Sequence, residues 1–124
     1  MIEVLPIEKE YEIEKFYNSI NLNYSSHCGV TVAKEHATIL GYCTYSLDAK
    51  SITITSIKPT DDLFLADGIL RSALHVADFH GITEAFFTDS VDRKLLSMLK
   101  FIDDEEKNTL NIQKLHESCC SCGN

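Results

Sequence analysis

Between Ser51 and Gly81 the residue pattern changes period once, and this constrains the fold more than any other feature. Ser51 to Ile57 is rich in Thr and Ile, the composition of a strand, and it stops at Lys58-Pro59 because proline cannot continue a central ladder. From Asp61 to His80, the residues Ala66, Ile69, Leu70, Ala73, Leu74, Val76, Ala77 and His80 form a broad helical stripe, ended by Gly81. Thr83 to Thr88 reads as a strand again.

The flanking sequence continues this alternation. Ile2 to Leu5 is a short strand closed by Pro6. From Glu8 to Ile20, the spacing of Ile13, Phe16, Tyr17 and Ile20 marks one face of a helix, and Asn18 to Ser26 makes a loop. Cys28 to Lys34 and Thr38 to Leu47 read as strands joined through Lys34-Glu35-His36, and Asp48-Ala49-Lys50 leads into the strand at Ser51. Ser90 is the expected N-cap of a last helix, with Asp92 in its first turn and Leu95, Leu96, Met98, Leu99 and Ile102 along it. Thr109 to Leu115 is the expected final strand. The prediction is a single α/β (α+β) domain over residues 1–115, ordered strand–helix–three strands–helix–strand–helix–strand, with a cysteine-rich tail over 116–124.

Charge narrows the function classes. The net charge is −8 and no Lys/Arg cluster exists, so the basic stripe that nucleic acid requires is missing and anionic membrane surfaces are disfavoured. A cationic partner such as an amine is electrostatically easier. Runs such as Val30-Thr31-Val32-Ala33 and Ala85-Phe86-Phe87 are far shorter than the about 20 residues of a membrane span. The start, Met1-Ile2-Glu3-Val4, has neither the basic nor the long apolar stretch of a signal peptide, and the five cysteines are odd in number. These features predict reduced thiols and a cytoplasmic location.

The order strand, proline turn, helix, glycine, strand, short helix ending in Leu99-Lys100-Phe101 resembles the GNAT family of N-acetyltransferases, over Ile2 to about Leu115 and most closely over Ser51 to Phe101. The resemblance implies a mixed, mostly antiparallel central sheet flanked by helices. It also implies acetyl-coenzyme A or another acyl-coenzyme A as donor substrate and a small amine or protein as acceptor. GNAT-like domains often dimerise through sheet edges or helices, so a homodimer is among the implied partners.

In that family a loop of the pattern Arg/Gln-x-x-Gly-x-Gly/Ala precedes the helix, and its N–H groups cradle the pyrophosphate. A helix N-terminus suits an anion because it offers unpaired donors and roughly half a positive charge. The matching stretch is Asp61-Asp62-Leu63-Phe64-Leu65-Ala66, which keeps only the final small residue. Phe64 replaces the first glycine and loses its access to positive φ, and Asp61, Asp62 and Asp67 are placed to cap the helix themselves. By the resemblance, Leu63, Phe64, Leu65, Ala66, Asp67 and Gly68 form the donor-binding turn, and Ile57 and Lys58 offer main-chain groups where the fourth and fifth strands splay apart. The family's tyrosine, which protonates the departing thiolate, falls on Leu96, and its following glycine on Lys100.

Acetyl transfer needs a deprotonated amine, a polarised carbonyl and an accommodated thiolate. The fourth strand carries no carboxylate, so Ser56 can at most order a water. The other candidates are Tyr45, Tyr42, Glu35 and Asp89. A catalytically inactive GNAT-like binding or regulatory module is the alternative, favoured by the acidic turn and the missing tyrosine. A third reading assigns function to the tail, where His116, Cys119, Cys120 and Cys122 supply soft donors for zinc or copper(I), or thiols for redox chemistry. His75 and His80 lie about 140° apart on their helix and do not form a metal pair, and His27 and His36 flank a strand.

Overall fold

The computed structural model describes residues 1–104, 106–113 and 115. Its elements are β1 (Ile2–Pro6), α1 (Glu10–Ser19), β2 (Cys28–Glu35), β3 (Thr38–Leu47), β4 (Ser51–Lys58), α2 (Leu63–Phe79), β5 (Glu84–Phe87), α3 (Arg93–Met98) and β6 (Thr109–Leu110). All six strands join one sheet in sequence order. Every pairing is antiparallel except β4 with β5, the pair that α2 connects. The predicted order of elements and the mixed, mostly antiparallel sheet are what the structure has.

α2 forms where the stripe predicts it, because one continuous face is apolar. Ala66, Ile69, Leu70, Ala73, Leu74 and Ala77 are all buried, against Ala33, Cys43, Tyr45, Ile52, Ile54 and Ile57 of the sheet. Each Ile or Leu so placed contributes about 1.5–3 kcal/mol relative to exposure. The helix starts at Asp62, whose side chain accepts the Leu65 N–H. It stops at Gly81, with φ 76°. The N–H groups of Gly81 and Ile82 return to the carbonyls of Asp78 and Ala77, closing a Schellman-type end that needs a left-handed residue there.

The opposite face is covered at β2 by α1, through Ile13 and Tyr17 packed on Val30 and Val32. The Tyr17 hydroxyl lies 2.7 Å from the Gly29 carbonyl and 3.1 Å from that of Tyr45, which are register partners on β2 and β3. One phenol thus bolts the helix across two strands. Burial, with the Cys28 thiol beside it, raises the Tyr17 pKa well above the ordinary range. At the β3–β4 turn, Asp48 accepts from the Lys50 and Ser51 N–H groups and the Ser51 hydroxyl, which holds its carboxyl below the usual range.

Three local expectations are corrected. The N-cap of α3 is Asp92, which accepts the Lys94 N–H, because the Ser90 hydroxyl is engaged elsewhere, donating to the Thr55 carbonyl at 2.8 Å. The last strand is only Thr109–Leu110; Asn111 turns away and gives its N–H to the Phe101 carbonyl. The last helix is Arg93–Met98, and beyond it Lys100 takes a left-handed φ of 66°. No helix among the described residues is long and apolar enough to cross a membrane.

Candidate functional site

The antiparallel register places one end of β4 beside the starts of β1 and β3 and next to the start of α2. Lys58 is the partner of Tyr42, and Ile2 is the partner of Glu35 at the β2–β3 hairpin. Gly41 permits this convergence. A Cβ there would lie 2.5 Å from the Lys58 carbonyl oxygen and 2.8 Å from both Pro59 and Ile69, so any side chain would force the end of β4 aside. Beyond it opens a pocket of about 500 Å³, walled by Ile2, Val4, Leu40, Pro59, Phe64 and Leu65, with Gly68 at its side and Asp61 and Asp62 at its edge.

β4 changes partners midway. Its pairing with β5 ends at Ile54 and Phe87, with one further bond from the Thr88 N–H to the Ile54 carbonyl. Its pairing with β3 shifts register at the same level, from Tyr45–Ile54 to Thr44–Ser56, which leaves Thr55 as an extra, bulged residue. Past the bulge, β4 runs on to Lys58 with β3 alone. On the vacated side the Ser90 hydroxyl donates to the Thr55 carbonyl and receives the Thr88 hydroxyl at 2.6 Å. On the sheet's other face, Thr44 hydrogen-bonds the hydroxyls of Thr55 and Ser56.

No family model matches the sequence, and no curated protein matches it. Solved structures do. A GNAT-family protein of Desulfovibrio desulfuricans aligns with a TM-score of 0.52 and 11% identity, over 70% of this chain and 72% of its own. A GNAT-family acetyltransferase of Streptococcus pneumoniae aligns with a TM-score of 0.53 and 14% identity, over 81% of this chain and 84% of its own. This is the GNAT fold.

Within the GNAT fold, the candidate residues occupy distinct places. Ile57 and Lys58 stand past the end of the β4–β5 pairing. Leu63, Phe64, Leu65 and Ala66 form the first turn of α2; Ala66 is buried, whereas Phe64 is 92% exposed. Asp62 is the cap, and Asp67 is tied to Arg71 at 2.8 Å. Ser56, on β4, is held by Thr44 of β3. Tyr45 is buried, and its phenol is pushed up to about 12, first by desolvation and then by the neighbouring Cys43 thiol. It therefore stays protonated at neutral pH and has no capacity to act as a base there. Tyr42 is half-buried and also shifted upward by burial.

The carboxylates are not gathered near Ser56. Glu35 sits at the hairpin, 3.6 Å from the N-terminal amine, and five residues along β2 from Val30, the partner of Thr44; that is about 17 Å of strand. Asp89 lies in the β5–α3 loop, where its carboxylate accepts the Asn108 amide, and Asn108 in turn accepts from Arg93. Leu96 is fully buried in the core. His116, Cys119, Cys120 and Cys122 lie outside the described residues, and among the described residues no cluster of three or more metal-binding side chains occurs. Sequence reasoning missed Gly41, whose glycine inside an alternating strand was the available signal. It also missed Ser90 as a long-range donor, and the pocket walls Ile2, Val4 and Leu40, for which no local signal exists.

Proposed function

We propose that the chain is an acyltransferase that takes acetyl- or another acyl-coenzyme A as donor and an amine as acceptor, the donor lying along the free side of β4 at Ile57 and Lys58. The observation that carries this reading is the opening made when β4 bulges at Thr55 and outruns β5. A strand with unpaired main-chain groups on one side offers fixed donors and acceptors to an extended ligand, and such donors do not depend on side-chain identity. In the reaction the amine nitrogen attacks the thioester carbonyl, the C–S bond breaks, and the thiolate takes up, through water, the proton the nitrogen releases. Positioning supplies much of the rate in such a transfer, and Ser56 is the hydroxyl on β4 available to order that water.

A second reading, a GNAT-fold binding module without transfer chemistry, is favoured by one specific pair of observations. The Leu65 N–H is already taken by Asp62, and Leu96 is sealed in the core without a proton to donate. Titration calorimetry and thermal shift with acetyl-coenzyme A, followed by turnover against a panel of amines, separates the two. Saturable binding raises the melting temperature by mass action, and turnover then establishes the enzyme. Binding without turnover selects the module, and a folded protein that leaves millimolar acyl-coenzyme A unbound removes the donor from both.

A further inference from the structure

We propose that Thr44 is a positioning residue for acyl transfer: through the hydroxyl chain Ser56–Thr44–Thr55 it holds the Ser56 oxygen as an acceptor toward the water that takes up the amine's proton. The inference rests on the acyltransferase reading and deepens it, because it gives a role to a buried side chain of β3 that touches neither substrate.

Thr44 is fully buried on the face of the sheet away from α2, where its register partner Val30 packs with α1. The extra residue in the β4 bulge brings two consecutive hydroxyls to it. Thr44 Oγ1 lies 2.7 Å from the Thr55 hydroxyl and also bonds that of Ser56. Thr55 and Ser56 are themselves only half-buried. Tyr42 and Lys58, register partners each two residues further along, line a hollow of about 350 Å³ on this face, so the Ser56 end of the chain lies beside a space wide enough for water. Folding alone does not call for the trio, because a buried hydroxyl and its partners replaced by apolar groups of the same shape leave stability nearly unchanged.

Each hydroxyl carries one proton. Thr44 is bonded to both neighbours, so it donates to one and accepts from the other, and the chain runs in one direction at a time. Running from Ser56 to Thr44 to Thr55, it uses the Ser56 proton internally and turns the Ser56 oxygen outward as an acceptor. A water that donates to that oxygen is polarised toward taking a proton. As the nitrogen attacks the thioester carbonyl, its N–H proton passes to this water, and the water passes one on to the thiolate as the C–S bond breaks. The three hydroxyls keep their own protons. In the reverse direction Ser56 donates to the water and blunts its basicity. Thr55 selects the productive direction by accepting the Thr44 proton, which in its absence has only Ser56 to go to.

The test is steady-state kinetics with acetyl-coenzyme A and the amine acetylated fastest from a panel of alkyl-, arylalkyl- and polyamines. Thr44→Val, which keeps the shape and removes the hydroxyl, should lower kcat about tenfold to a hundredfold while the KM for acetyl-coenzyme A stays the same. Thr44→Ser should restore the rate. Thr55→Val lies two hydrogen bonds from the water, yet it should lower kcat about tenfold, again at constant KM. An active enzyme in which Thr44→Val or Thr55→Val keeps the full rate overturns this inference and leaves the acyltransferase reading standing. A loss that Thr44→Ser does not restore overturns it too, as does a loss shared equally by KM. A wild-type protein that acetylates no amine of the panel overturns both together. If Thr44→Val lowers the melting temperature, the half-buried Thr55→Val decides alone.

Discussion

From Ser51 to Ile54, β4 has a strand on each side, and Ile52 and Ile54 are wholly buried beneath α2. From Thr55 to Lys58 it has β3 alone, a bulge, and a serine hydroxyl where a strand would be. The first half is specified by its side chains, through apolar burial on one face. The second is specified by main-chain partnerships that its neighbours make or withhold: Gly41 by lacking a side chain, Ser90 by donating to Thr55. Ile57 is buried beneath α2 as well, so the two halves differ in their main-chain partners more than in burial.

That division can be broken in several ways. The largest expected effect is alkaline collapse of the frame. Burial pushes the Tyr45 phenol up to about 12 from an ordinary 10, and Tyr17 is raised as well. A raised folded pKa means the native state holds these protons more tightly, so the stabilisation is complete below pH 10 and lost as pH rises toward 12. The last phenolates to form, those of Tyr17 and Tyr45, should appear in near-ultraviolet absorbance only with loss of circular dichroism; ionisation of all five tyrosines in a still-folded protein would contradict the buried environment. Next, Ile54→Ala should cost about 2–5 kcal/mol in urea unfolding while acyl-coenzyme A affinity per folded molecule stays the same. A comparable loss of affinity would show that the halves are coupled.

Gly41→Ala should do the reverse. The added methyl lies against the Lys58 carbonyl and costs about 1–3 kcal/mol, but its larger signature is displaced amide shifts at Ile57 and Lys58. Smaller again, Asp62→Ala should lose about 1 kcal/mol as a cap is removed, and Asp62→Asn almost none. Smallest, Lys100→Gly should gain about 0.4–1 kcal/mol, since a left-handed lysine is replaced by the residue that adopts that conformation freely. A destabilised Lys100→Gly protein would mean the lysine side chain itself holds the turn.

Much of the frame was legible in the sequence because its signals are periodic and local. Ala66, Ile69, Leu70, Ala73 and Leu74 announce α2, Gly81 its end, and the Thr/Ile run β4. Ser90 was misread because the same hydroxyl suits an N-cap and a distant carbonyl, and only the tertiary arrangement selects between them. Thr109 to Leu115 alternates apolar and polar residues as a strand would, yet among the described residues only Thr109–Leu110 finds a partner on β5. The pocket was invisible for a simpler reason. Ile2, Leu40 and Phe64 are far apart in the chain, and each alone is an ordinary apolar residue.

The bulge at Thr55 also bears on how such a chain changes over generations. An extra residue resets the inside–outside alternation of a strand, so the positions on either side of it keep separate phase. Substitutions at Ser56 or Lys58 leave Ile52, Ile54 and Ile57 facing the core. The chain can therefore exchange one ligand chemistry for another by drift at that end, while the part of the strand that makes it fold remains under its own selection.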